Sequence, residues 1–181
     1  MIEKNWKTLA GEKIDLRSAI EAELHRFPEV QITIASDSQQ RGEHTEFVSV
    51  VTIIRPGKGG RVFFCREYTK RIRDLGPRLW EETWRSTQLA MELSKTETDE
   101  TNFFERPMID IDAIHIDANV DPKHKSSQYV EQLVGLVIGM GFRAVVKPEA
   151  WAASHAADHA VKHKEERNKP HAEKNGRRRA A

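Results

Sequence analysis

Leu16, Ile20 and Leu24 recur every four residues within DLRSAIEAELHRF, and this spacing predicts a helix with one apolar stripe. Asp15 is placed to cap its N-terminus and Pro28 to stop it. The apolar run that begins QITIAS predicts a strand over residues 32–36, and the polar SQQRGEH that follows, with Gly42, predicts a connection. EFVSVVTIIR and RVFFCREYT are both rich in β-branched and aromatic residues, and PGKGG between them is a hairpin signal. Three consecutive strands are therefore expected as an antiparallel meander.

The period then lengthens. In PRLWEETWRSTQLAMELSK, Leu79, Thr83, Ser86, Ala90 and Leu93 fall at helical spacing, with Pro77 in the first turn. TETDETNFFERP reads as an acidic loop and MIDIDAIHIDAN as a fourth strand. KSSQYVEQLVGLVIGMGF reads as a helix capped by Ser126 or Ser127, apolar nearly all round and so expected to be buried. RAVVKPE is a short fifth strand, and AWAASHAADHAVKHK an alanine-rich last helix. EERNKPHAEKNGRRRAA loses all periodicity, which predicts disorder. Strands four and five flank a helix, so they are expected to be parallel, with a right-handed connection. The fold class is α/β: a mixed five-stranded sheet flanked by helices, with one extra helix in front.

The length of 181 residues permits one domain with a substantial core, taken as residues 1–162, and a basic tail over 163–181. The longest apolar run, LVGLVIGMGF, is broken by glycines and too short to span a bilayer, and the charged MIEKNWKTLAGEKIDLR does not read as a signal peptide. A single cysteine, Cys65, excludes an intramolecular disulfide and a multi-cysteine zinc site. A cytoplasmic protein with no membrane partner is expected. A net charge of +1 makes the chain as a whole no electrostatic trap for nucleic acid. From Lys162 onward, however, eight Lys or Arg stand against three Glu, a net of +5. That tail either adds salt-sensitive affinity for nucleic acid or keeps the protein soluble.

The acidic residues change the picture more. Asp37 ends the first strand, Asp117 ends the fourth, Glu81 and Glu82 lie in the first turns of a helix, and Asp158 sits among Ala156, Ala157 and Ala160. If the first and fourth strands are neighbours, Asp37 and Asp117 project from adjacent tips, and two such carboxylates do not both ionise cheaply without a cation or a shared proton. Each has an ordinary alternative: DSQQRG and DANVDP are both good turn sequences. Asp158 is harder to read as ordinary, because a carboxylate in a packed helix needs a partner. Four carboxylates with no cysteine describe a site for a hard cation, Mg²⁺ or Mn²⁺. Two such ions are a known device for cutting phosphodiesters.

This order of elements and acids resembles the RNase H-like superfamily. More narrowly, IASDSQ, RLWEETWRS, HIDANVDPKHKSSQYVEQLVGLVIGMGF and VKPEAWAASHAADHA resemble the bacterial YkuK-type RNase H-like family, over residues 15–162. The resemblance implies a two-metal nuclease that leaves a 3′-hydroxyl and a 5′-phosphate, with Asp37, Glu82, Asp117 and Asp158 as metal ligands. Glu82 is preferred to Glu81 because it shares a helical face with Leu79 and Ser86, whereas Glu81 falls with Arg78 and Arg85 on a wetter face. The resemblance also leaves room for a domain that has lost catalysis and serves as a nucleic-acid-binding or regulatory module.

His155, His159 and His163 stand four apart, a spacing that suits either a solvated face or a transition metal. His155 falls nearest Asp158 and is a candidate for metal binding or proton transfer. Ser38, Gln39 and Asn119 flank the acids and are candidates for contacts to sugar or phosphate. Lys123 and Lys125, with His124, precede a helix N-terminus that favours phosphate, and Lys147 ends the fifth strand; each is equally readable as a surface residue. Trp80 and Trp84 read better as core than as base-stacking residues, and Cys65 as core. The expected partner is RNA, DNA or a hybrid, with the oligomeric state left open.

Overall fold

The computed structural model describes residues 1–99, 104–106 and 108–150. Asp158, the three histidines at 155, 159 and 163, the last predicted helix and the basic tail lie outside these residues.

The elements run β1 (Lys7–Thr8), α1 (Leu16–Arg26), β2 (Gln31–Arg41), β3 (His44–Arg55), β4 (Gly59–Lys70), α2 (Leu75–Leu93), β5 (Glu97–Asp99), β6 (Phe104–Arg106), β7 (Ala113–Asn119), α3 (Val130–Gly139) and β8 (Ala144–Lys147). Six strands form one mixed sheet in the order β1-β4-β3-β2-β7-β8. The meander β2-β3-β4 is antiparallel, and β2-β7 and β7-β8 are parallel.

Helix α1 forms where its stripe predicts. The Asp15 carboxylate accepts from Ser18 N at 2.8 Å, satisfying one of the amides that a helix start leaves without a partner, and Leu16 and Ile20 are fully buried. Helix α2 begins at Leu75, two residues before Pro77. The proline is tolerated because the first intrahelical bond is Arg78 N to Asp74 O, so its missing N–H has no helical acceptor to lose.

Four expectations need correction. The sheet has six strands instead of five, because Trp6 is buried and the chain beside it pairs Lys7 and Thr8 with Phe64 and Phe63 of β4. β2 does not end at residue 36: it runs on to Arg41, paired throughout with β3, and turns at Gly42 (φ 58°) and Glu43. Residues 97–106, read as a loop, contain the two-stranded β5-β6 ladder. Helix α3 buries Leu133 and Val137 but leaves Ile138 60% exposed, and Met140 just after it 44%, because it packs by one face.

The core lies on the helical side of the sheet. Ile32 and Ile34 of β2, Val51 and Ile53 of β3, and Ile114 and Ile116 of β7 pack with Leu16, Leu79, Leu89, Leu93 and Val137 from the three helices. Burial of each such side chain stabilises by about 1.5–3 kcal/mol. A smaller cluster of Val48, Val50 and Phe64 lies apart from this core.

Candidate carboxylate site

β2 and β7 pair only at Thr33↔Ala113, Ile34↔Ile114 and Ala35↔His115. Two residues further along each strand come Asp37 and Asp117, which therefore stand at the same level and, by the two-residue alternation, on the same face. Asp37 is nevertheless inside a ladder, since β2 stays paired with β3 at Asp37↔Val48. The turn reading of Asp37 is thus replaced by a strand position at the edge of a parting between strands.

Ser36 and Ser38 alternate to the other face and meet α2. Ser36 Oγ is 3.0 Å from Ser86 Oγ, and Ser38 Oγ donates to Glu82 Oε1 at 2.5 Å. Leu79, Glu82, Thr83 and Ser86 form the buried face of α2. Glu81 takes no part. It pairs with Arg85 at 2.8 Å, and Arg85 also pairs with Glu67 at 2.5 Å and covers the Phe47 ring at 4.4 Å. Arg85 is therefore buried, not on a wet face.

Asp37, Glu82 and Asp117 line one open cleft of about 310 Å³. Arg78, His124, Lys125 and Lys147 bring basic groups to its walls, and Ser38, Asn119 and Ser126 neutral polar ones. Burial pushes the Glu82 carboxyl well above the ordinary range, and the charges of Asp37 and then Asp117 push it the same way. The Ser38 hydrogen bond and the Arg78 charge oppose them without prevailing. Three crowded carboxylates without a sufficient cation disfavour the charged form of the most buried one.

Asp117 lies where the β7-β8 pairing shifts register, between Ile116 and Asn119. The irregularity sets Lys147 beside it, and the Lys147 ammonium forms an ion pair with Asp117 Oδ1. That oxygen is buried, and the ammonium is the partner it has there. The loop beyond is braced internally: Asp121 N donates to Asn119 Oδ1 at 2.9 Å, Lys123 N to Asp121 Oδ1 at 3.0 Å, and Asn119 N to Ser126 Oγ at 3.1 Å. Ser126 therefore serves the loop instead of capping α3, which is entered through a 3₁₀ turn at Ser127–Tyr129.

Of the remaining candidates, Ser38, Asn119, Lys125 and Lys147 line the cleft, whereas Gln39 and Lys123 do not. Asp158 and His155 lie outside the described residues. Trp80 is 46% exposed, so it is not core, and Cys65 is buried. Two residues escaped the sequence reading. Arg78 reaches the cleft from the side of α2, and His115, one alternation before Asp117, has a buried Nδ1 with no hydrogen bond. Burial lowers the His115 pKa, its hydrogen bond to the Ala150 backbone opposes this, and Arg143 adds to the lowering.

Among the described residues no three His, Cys, Asp or Glu side chains close into a ready-made metal cage. What they provide is three carboxylates lining one cleft, one with a raised pKa and one paired with a lysine.

A family profile described as Ribonuclease H-like matches residues 15–162. Nothing among curated protein sequences matches the chain. Two solved structures are similar at low identity. The N-terminal RNase H domain of a Mycobacterium tuberculosis protein, fused to maltose binding protein, is 13% identical, with a TM-score of 0.37 over 78% of this chain and 100% of that one. RNase H1 from the halophilic archaeon Halobacterium salinarum is 14% identical, with a TM-score of 0.36 over 74% of this chain and 98% of that one.

Proposed function

The chain belongs to the Ribonuclease H-like family, and from that premise we propose that it is a metal-dependent nuclease that hydrolyses phosphodiester bonds of a nucleic-acid backbone. The observation that carries this reading is the convergence of Asp37, Glu82 and Asp117 from three separate elements on one cleft. The donor set suits a hard divalent cation: oxygen ligands, with a Glu82 carboxyl whose pKa is raised by two neighbouring carboxylates that a cation would offset.

Asp37, Glu82 and Asp117 would hold Mg²⁺ or Mn²⁺, two ions on this reading, with Asp158 as fourth ligand and His155 beside it. Bound there, the ions supply water activation and charge stabilisation of the leaving oxygen, giving 3′-hydroxyl and 5′-phosphate ends. The chain's own residues do the rest. Ser38 fixes the Glu82 carboxyl, Lys125 and Lys147 offer charge to phosphate oxygens, and Asn119 stands beside Asp117 for a sugar or phosphate contact. Gln39 and Lys123 lie further out and serve at most a longer substrate. RNA, DNA or a hybrid is the partner, and a cytoplasmic place of work goes with the proposal.

One observation favours a second reading. Lys147 neutralises Asp117, as expected of a domain that binds nucleic acid without cutting it. The two readings part on a single experiment. Labelled single-stranded, double-stranded, hybrid and junction substrates are incubated with the protein and Mn²⁺ or EDTA, beside Asp37→Asn and Asp117→Asn. Cleavage that needs the metal and falls at least about 10²-fold in both variants, the scale of a lost metal contribution of several kcal/mol, establishes the nuclease. Binding without cleavage in every arm rejects it in favour of the second reading.

A further inference from the structure

Arg78 stands four residues before Glu82 on α2, a spacing at which Arg and Glu side chains meet. They do not pair here. Glu82 Oε1 takes the Ser38 hydroxyl instead, and Arg78 Nε is buried without a hydrogen bond. Among the described residues the Arg78 side chain has no ion-pair partner, although it lines the cleft that holds three carboxylates. Arg85, two turns further along the same helix, shows what a structural arginine looks like in this protein: two carboxylate partners and an aromatic face. Arg78 has none of these. Its guanidinium is a rigid planar fork suited to bidentate phosphate contacts, and its position in the cleft gives it something to bind that is not part of the protein.

Its offset decides which phosphate. Ser36 meets Ser86 and Ser38 meets Glu82, so α2 runs antiparallel to β2, and Arg78 lies about 6 Å along the helix axis beyond Glu82, past the level of Asp37. A phosphate held at the carboxylates is the scissile one, and an offset of that order corresponds to the next phosphate along a strand. We propose that Arg78 binds the phosphate adjacent to the scissile one, so that the cleft selects a strand with at least two consecutive phosphates over an isolated phosphodiester. This rests on the nuclease reading above.

The test compares Arg78→Ala and Arg78→Lys with wild type on an oligonucleotide that wild type cuts and on bis(p-nitrophenyl) phosphate, which carries one phosphate. The expected result for Arg78→Ala is a KM for the oligonucleotide raised about tenfold or more with kcat within about twofold. The loss is confined to the oligonucleotide. The dependence of oligonucleotide binding on salt, measured by fluorescence anisotropy with Ca²⁺, becomes shallower by about one phosphate contact. Arg78→Lys recovers part of the affinity, as a point charge without the fork. Equal losses on both substrates would mean that Arg78 acts through Glu82, and an unchanged KM and salt slope would mean that it does not touch substrate; either overturns the assignment. If wild type cuts neither substrate but binds the oligonucleotide, and Arg78→Ala weakens that binding, the nuclease reading fails while the phosphate contact stands. A wild type that neither cuts nor binds overturns both.

Discussion

Ser38 Oγ donates to Glu82 Oε1 at 2.5 Å, tying the strand that carries Asp37 to the buried face of α2. The bond does not offset burial and the charges of Asp37 and Asp117, which raise the Glu82 pKa well above the ordinary 4.5. A folded-state pKa raised above the unfolded one means that the native state holds the proton more tightly. The stability this contributes is present in full below about pH 4.5 and is lost as pH rises through the folded value. Glu82→Gln, which has no proton to lose, should melt close to wild type at pH 4 and at least about 2 °C higher at pH 7 without metal. Melting curves across this range decide it; a gap that does not change with pH counts against the assignment.

Glu46 behaves in the opposite sense. Burial resists its ionisation, but hydrogen bonds from Tyr68 at 2.7 Å and from Arg41 and Arg66 at 3.1 Å outweigh burial and lower its pKa below 4.5. Its contribution is present above pH 4.5 and disappears as pH falls through the lowered folded value. Glu46→Gln is expected to cost about 1.5–3 kcal/mol in urea unfolding at pH 7 and progressively less as the medium is acidified. A cost that persists undiminished in acid would show that packing, not charge, carries the interaction.

Lys147 competes for the oxygen that a cation needs. Because the ion pair with Asp117 is partly open to solvent, it is worth up to about 1 kcal/mol. Lys147→Gln should therefore bind Mn²⁺ about two- to fivefold more tightly by calorimetry, while its KM for nucleic acid rises. Weaker Mn²⁺ binding in the variant would contradict the competition.

The same substitution should have opposite signs at two glycines. A Cβ at Gly76 would lie 2.7 and 2.9 Å from ring atoms of Tyr129, so Gly76→Ala forces α2 and the entry to α3 apart, at about 1–3 kcal/mol. A Cβ at Gly135, within α3, meets nothing within 4 Å, and Gly135→Ala is expected to stabilise by about 0.5–1 kcal/mol. Denaturant midpoints of the two variants check both signs.

Local features were legible in the sequence and non-local ones were not. The stripe of Leu16 and Ile20 and the Asp15 cap lie within a few residues of each other, so α1 could be read directly. Helical period also separated Glu82, which reaches the cleft, from Glu81, which Arg85 takes. β1 holds two residues and therefore no period. The continuation of β2 through polar residues depends on pairing with β3, and Gln40↔Thr45 and Arg41↔His44 are held by backbone bonds that side-chain polarity does not report. Ile138 and Met140 show that apolar composition counts residues but not neighbours. Arg78 was misplaced for a related reason. A helical wheel gives its angle on α2, but which neighbour lies at that angle depends on how α2 sits over β2 and β7.

β2 is paired with β3 through all eleven of its residues but with β7 at only three positions. Mechanically, the two carboxylates therefore rest on unequal supports. Asp37 rides on a stiff ladder. Asp117 extends past the last rung shared with β2, and on its other side the pairing with β8 is irregular at that point. Their spacing therefore depends on how β7 is held, by three rungs on the β2 side and an irregular pairing on the β8 side.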